Sequence, residues 1–196
     1  MFYQYIYVYF VLIYAHMKLK IIKDTNPIMR KKSLPVELPL SKNDKDTLDA
    51  MLDYLKLSQD EEYAEKHHIQ PGVGMAAIQI GLLKRMFVIY YQTDNGPVEY
   101  QIVNPQILET SVKKCALEQG EGCLSVPNHH EGLVHRYYKI KMRAYEALTG
   151  EDVIITAMGY DAIVLQHEYD HLDGIFYYDR INANNPNGKM PGEEII

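Results

Sequence analysis

His167-Glu168-Tyr169-Asp170-His171 sets two imidazoles four residues apart, with a carboxyl directly after the first. On a helix this spacing puts both rings on one face, about 6 Å apart along the axis, so they can converge on one cation. Glu168 can then reach a water on that cation and serve as an acid/base group. An open catalytic site takes about three protein ligands and keeps a further position for water. Downstream residues do not readily supply the third. Gly174 follows at the spacing of peptidases that read H-E-x-x-H-x-x-G-x-x-H, but Tyr177 stands where their last histidine would be. Glu193 and Glu194 lie in the terminal segment. Cys123, within Glu121-Gly122-Cys123-Leu124-Ser125, is the better candidate. A thiolate beside two imidazoles suits Fe2+, Zn2+, Co2+ or Ni2+. A structural site without catalysis would need a fourth ligand, and the chain offers no compelling one.

The elements that must position these groups are legible in outline. A helix over about Asp161 to Asp173 carries both histidines, with Asp161 as N-cap, Gly174 as the stop and apolar Ile163, Val164 and Leu165 ahead of His167. An earlier helix opens at Ser41 and places Leu48, Met51, Leu52 and Leu55 on one stripe. A polar helical stretch runs from Asp60 to Lys66 and closes at His67 and His68. Ahead of Glu121, Met86 to Tyr91 is β-branched and aromatic, and Asp94-Asn95-Gly96 is a turn signal. Residues 98–103, 106–112 and part of 133–145 continue as strand, and Ile175 to Ile181 returns to strand. The expected class is α+β, with mostly antiparallel sheets around a central helix that carries the H-E-x-x-H pattern. His129, His130 and His135 are expected to face solvent rather than a metal.

The chain has 196 residues, 47% hydrophobic and 23% charged, which suits one domain with a real core. Its formal net charge of -6 lacks the basic signature of a nucleic-acid binder. The run Arg30-Lys31-Lys32 reads as solvated surface. Two cysteines, Cys115 and Cys123, are too few for a disulfide scaffold and fit a reducing compartment; a bridge between them is the alternative. Residues 1–16 are apolar and tyrosine-rich, yet shorter than the roughly 20 residues of a membrane span. They read as an extension outside the fold with Met17 as the functional start, against a rival reading as a membrane-associating tail. Residues 17–185 then form one catalytic domain, and the Asn-, Pro- and Gly-rich residues 186–196 form a loose tail.

Three segments resemble one family. Gly72-Val73-Gly74-Met75-Ala76-Ala77-Ile78-Gln79 resembles the G-x-G-x-A-A-x-Q motif of peptide deformylases. Glu121 to Ser125 matches their second motif, and His167 to His171 their third. The long segment before Gly72 and the Gly132-Leu133-Val134-His135-Arg136 stretch are similar to the type 2 branch of Gram-positive bacteria and their wall-less relatives. Ile78 departs from the proline that often precedes the motif glutamine, which removes a stiffening of the loop around Gln79.

The resemblance implies removal of the formyl group from N-formylmethionine on nascent peptides in the cytoplasm, with one divalent ion, Fe2+ first among the candidates. It implies metal ligation by Cys123, His167 and His171, and acid/base work by Glu168. Stabilisation of the oxyanion falls to the Gln79 side chain and the Leu124 backbone N–H. Substrate would lie against Gly72, Val73, Gly74 and Gly122, with the methionine side chain among Val73, Tyr160, Ile163 and Val164. Arg136 would pair with Glu121, and Asp170 would orient an imidazole or brace the helix. A weak ribosome contact near the exit tunnel is implied as a partner, with no direct nucleic-acid binding and no membrane in the mature fold. An endopeptidase using the same H-E-x-x-H chemistry is the alternative.

Overall fold

A computed structural model describes residues 19–196. The reading of residues 1–16 and of Met17 lies outside the described residues. Among the described residues the α-helices are α1 (Lys42–Ser58), α2 (Glu61–His67) and α3 (Tyr160–Leu172). The strands among them are β1 (Gly74–Ala76), β2 (Met86–Thr93), β3 (Gly96–Thr110), β4 (Lys114–Ala116), β5 (Arg136–Tyr137), β6 (Lys139–Glu146), β7 (Glu151–Met158) and β8 (Glu194–Ile195). The larger sheet has the order β1-β2-β3-β6-β7 and is antiparallel throughout. The smaller has the order β5-β4-β8, with β8 parallel to β4.

Alternation along the strands divides the core. On β2, Phe87, Ile89 and Tyr91 join the cluster that includes Ala162, Val164 and Leu165 of α3. Met86 and Val88 join the cluster that includes Leu48, Met51, Leu52 and Leu55 of α1. Successive side chains of a strand point to opposite faces, so the large sheet separates the two helices and gives each its own apolar bed.

The start of α1 follows its sequence. Ser41 accepts the Asp44 N–H at 3.1 Å and donates its hydroxyl to the Asp44 carboxylate at 2.6 Å. The start of α3 differs from expectation. Gly159, with φ 58, is the N-cap, and Asp161 lies inside the first turn, where it accepts a hydrogen bond from the Tyr91 hydroxyl. The stop is as expected. Gly174 has φ 71, and a Cβ there would stand 2.5 Å from the Arg30 carbonyl, so both conformation and space require glycine.

Three segments depart from the sequence reading. Ile175 to Ile181 is not a strand; Tyr177–Arg180 forms a 3-10 turn, because Asp179 accepts the Phe176 N–H at 2.8 Å and draws the backbone into a local bond. β7 was not expected, since its outward Ile154 and Met158 are 60% and 52% exposed and hide the alternation that its inward residues carry. The terminal segment is tied down rather than loose. β8 pairs with β4, and the Ile196 N–H donates to the Ala116 carbonyl at 2.9 Å. That pairing uses backbone groups, which Pro and Gly content does not report.

Candidate metal centre

α3 and the turn after β4 meet at one point. One ligand atom each from Cys123, His167 and His171 lies within 4.8 Å of the others. The Cys123 Sγ is 3.2 Å from His171 Nε2, and the two imidazole centroids are 4.9 Å apart. The four-residue spacing on a helix thus brings the rings together, and the third donor arrives from the loop. No disulfide forms: Cys115 and Cys123 are both free and buried. Burial pushes the Cys115 thiol up to about 11, aided by Glu193 and Glu194.

The Cys123 turn is fixed from several sides. The Val126 N–H donates to the Cys123 carbonyl at 3.0 Å. The entry segment crosses it, with the Asp24 N–H on the Ser125 carbonyl at 2.9 Å and Lys23 Nζ on the Leu124 carbonyl at 3.0 Å. The same segment reaches the first motif through the Ile22 N–H on the Gln79 carbonyl at 2.7 Å. Gln79 is itself held: its Oε1 accepts the Ala76 N–H at 2.8 Å, and its Nε2 lies 3.2 Å from Ser125 Oγ and 3.6 Å from Cys123 Sγ. Ile78 is fully buried in the α3-side cluster, so packing secures the position where a proline ring is otherwise common.

Behind the donors runs a chain of buried charge. His167 Nδ1 faces Glu121 Oε2 at 2.7 Å. Arg136 forks onto both Glu121 oxygens at 2.8 and 2.9 Å. Arg136 also donates to Asp170, which takes a second guanidinium from Arg180. Asp170 therefore braces the array and reaches His167 only through Arg136 and Glu121. Arg180 carries no signal in the sequence, because the 3-10 turn that delivers it replaces the strand expected over Ile175 to Ile181. Tyr177 was also missed in this role; its ring stacks on His167 at 6.2 Å between centroids. His135 does not face solvent as expected but pairs with Glu193 at 2.6 Å, whereas His129 and His130 are exposed.

Electrostatics differentiate the ionisable groups. Burial alone would raise Glu121, but Arg136 and His167 outweigh it and hold the carboxyl down at about 2. Burial pushes Glu168 up to about 7, only partly offset by His167. Burial, reinforced by His167 and Arg136, keeps His171 well below the usual imidazole range. For His167, burial favours the neutral ring, but Cys123 and Glu121 overcome it and raise the group well above that range.

The donor set fits a divalent cation. Glu168 Oε2 and His171 Nδ1 are buried without a hydrogen-bond partner among the described residues. Such an orphan costs about 1–3 kcal/mol; Glu168 borders the space in front of the cluster, whereas His171 turns its other nitrogen, Nε2, to the Cys123 sulfur. The Glu168 carboxyl lies flat against Gly74, where an added Cβ would come within 2.3 Å of Oε1. In front lies a cavity of about 250 Å³, bordered by Gly72, Val73, Gly74, Gln79, Gly122, Cys123, Leu124, Tyr160, Ile163, Val164, His167 and Glu168. Every residue assigned to substrate from the sequence borders it; Gln59, Gln70, Pro71 and Leu117 border it without having been expected.

Comparison with known proteins agrees with this geometry. Residues 18–187 match the family described as polypeptide deformylase. The chain is 47% identical over 178 residues to a peptide deformylase of Staphylococcus epidermidis, covering 90% of this chain and 96% of the relative. It is 47% identical over 167 residues to peptide deformylase 2 of Geobacillus stearothermophilus, covering 85% and 90%. The crystal structure of peptide deformylase from Thermotoga maritima aligns with a TM-score of 0.65 at 35% identity, covering 84% of this chain and 97% of that one. The relatives from Gram-positive bacteria agree with the type 2 branch that the motifs suggested. With matches of this identity spanning nearly the whole described fold, the chain belongs to the peptide deformylase family.

Proposed function

We propose that the chain removes the formyl group from N-formylmethionine at the start of newly made polypeptides, using one divalent cation held by Cys123, His167 and His171. The observation that carries this reading is the convergence of a sulfur and two imidazoles within 4.8 Å beside a buried carboxyl without a partner. When bound, a divalent cation supplies Lewis-acid polarisation of a carbonyl and brings the pKa of water from near 16 to about 7. Glu168 is the acid/base group. It accepts a proton as water oxygen attacks the formyl carbon, then delivers that proton to the departing nitrogen as the C–N bond breaks. The products are formate and a free amino terminus, so atoms and charge balance. A carboxyl whose own surroundings already raise it to about 7 suits both halves of that exchange.

The Gln79 side-chain amide and the Leu124 backbone N–H are assigned to the oxyanion. Each donor of this kind is worth about 100- to 1000-fold in rate, provided it is fixed in advance. The bonds that hold Gln79 and the Lys23 contact to Leu124 support that requirement. The peptide is assigned an extended course along Gly72, Val73, Gly74 and Gly122, in the manner of an added strand. A Cβ at Gly122 would meet nothing within 4 Å, which leaves room there for a second backbone. Val73, Tyr160, Ile163 and Val164 are assigned to the methionine side chain, being the apolar wall of the cavity in front of His167.

Fe2+ is the metal put first, with Zn2+, Ni2+ and Co2+ as ions that the same ligands accept. Residues 17–185 are assigned as the catalytic domain, with 186–196 as a terminal segment and 1–16 as an extension. A cytoplasmic setting is supported by two free thiols and by a substrate that arises at the ribosome, where a weak contact near the exit tunnel is the proposed partner. No helix among the described residues is long and apolar enough to cross a membrane.

The test compares formate release from formyl-Met-Ala with cleavage of a blocked internal peptide by the anaerobically purified protein. Formate release alone is expected. Cleavage of the internal peptide without formate release would overturn the reading in favour of an endopeptidase.

A further inference from the structure

Gln59 belongs to none of the three motifs. It caps the C-terminus of α1, with φ -95 and ψ -3, and is half-buried. Its side chain turns back from that helix end toward the cavity wall. Nε2 donates to the Gly72 carbonyl at 2.9 Å and to the Tyr90 carbonyl at 2.7 Å. A primary amide nitrogen carries two hydrogens, so both bonds form together. One residue earlier, Ser58 Oγ accepts the Gly72 N–H at 3.2 Å and donates to the Leu55 carbonyl at 2.8 Å. Two consecutive residues of one helix end thereby hold Gly72 at both its N–H and its carbonyl.

That hold replaces a missing ladder. β1 begins at Gly74, paired with Ile89, and the Val73 carbonyl accepts the Tyr90 N–H at 2.9 Å. Gly72 lies beyond that pairing, so its position relative to β2 is set through the Gln59 bridge to Tyr90. Gly72 also packs tightly on the turn that carries Cys123: an added Cβ would come within 2.8 Å of Leu124 Cδ1. Gln59, Gly72, Val73 and Gly74 all border the same cavity. An edge that had to become ordered as a peptide arrived would subtract that cost from affinity.

We infer that Gln59 is a positioning residue, which holds the Gly72–Val73 edge in place for an extended formyl-peptide. The inference rests on the reading above that substrate runs along this edge. It predicts a separation of KM from kcat, since loss of a prearranged binding edge weakens ground state and transition state alike.

The test measures KM, kcat, cation content and thermal midpoint for wild type, Gln59→Ala and Gln59→Glu with formyl-Met-Ala-Ser. Gln59→Ala is expected to raise KM about tenfold, equivalent to about 1.4 kcal/mol, with kcat within about twofold and cation content unchanged. Gln59→Glu is expected to raise KM further, because it turns an acceptor toward two carbonyl oxygens. A purely structural helix end would lower the thermal midpoint and leave KM alone. Unchanged KM in both variants, or a loss confined to kcat with depleted cation, overturns the inference while an active wild type leaves the proposed reaction standing. No formate release from the cation-loaded wild type would instead remove the reaction on which the inference rests, and the inference with it.

Discussion

The face of the large sheet turned to α3 and the face turned to α1 share strands but bury different chemistry. Toward α1 the cluster runs through Leu48, Met51, Leu52, Leu55, Met75, Met86, Val88 and Val103, and the buried Asp44, Ser58 and Gln101 beside it each have a hydrogen-bond partner. Toward α3 the apolar residues are interleaved with buried Gln79, Glu121, Arg136, Gln166, Glu168, Asp170 and His171. Glu168 Oε2 and His171 Nδ1 have no hydrogen-bond partner there among the described residues. The first region is arranged for stability, since burial of apolar surface is favourable wherever shape is matched. The second carries the Glu168 carboxyl, which costs stability unless a cation or substrate occupies the space before it. Division by one sheet lets the costs of the reactive face be offset by the inert one.

The largest effect should come from Glu168→Gln. Formate release should fall by about 100- to 10,000-fold, the range for a positioned acid/base group, while cation content and the urea midpoint hold. A matching collapse of the midpoint would mean that Glu168 stabilises the fold, and the contrast between faces would fail. Arg136→Met is next. It leaves the Glu121 and Asp170 carboxyls buried without their shared partner, a change that costs about 3–5 kcal/mol and should also weaken cation binding. Urea unfolding with a cation titration reads both. Leu55→Ala on the opposite face should cost about 2–5 kcal/mol, yet keep kcat of the folded fraction within about twofold. A tenfold fall in kcat there would show that the faces are not independent.

The smallest effects belong to the α1 cap. Ser41→Ala should cost about 1 kcal/mol with no kinetic change. Its neighbour Asp44 adds a pH signature. Burial would raise this carboxyl, but Lys84 and Ser41 outweigh burial and hold it below its ordinary 3.8. A depressed carboxyl contributes stability above its unfolded pKa and loses it as the pH falls through the folded value. The urea-midpoint gap between wild type and Asp44→Asn should therefore be full at pH 6 and close progressively below 3.8. A gap that widened in acid would contradict the pairing.

What could be read from the sequence follows the same division. α1 was legible because its stripe from Leu48 to Leu55 has one apolar face on one bed. α3 was legible from the opposite kind of evidence, the chemistry of His167, Glu168 and His171, since its sides are buried nearly all round. The convergence of Cys123, His167 and His171 and the cavity wall were legible through local motifs and family resemblance. Arg180, Tyr177 and the His135–Glu193 pair were not, because each reaches its partner through a turn or terminal segment set by local hydrogen bonds, not by side-chain period. Gln59 was hidden for a related reason: its importance depends on Gly72 and Tyr90, which the fold brings together.

The central claim is that Cys123, His167 and His171 share one cation on which the reaction depends. The direct measurement strips the protein with a chelator under argon, returns Fe2+ stepwise and reads formate release at each step. The account predicts negligible release at the start, a linear rise, and a break at one equivalent per chain that is lost in Cys123→Ala. Full release from the stripped protein, or the same titration in Cys123→Ala, would contradict it.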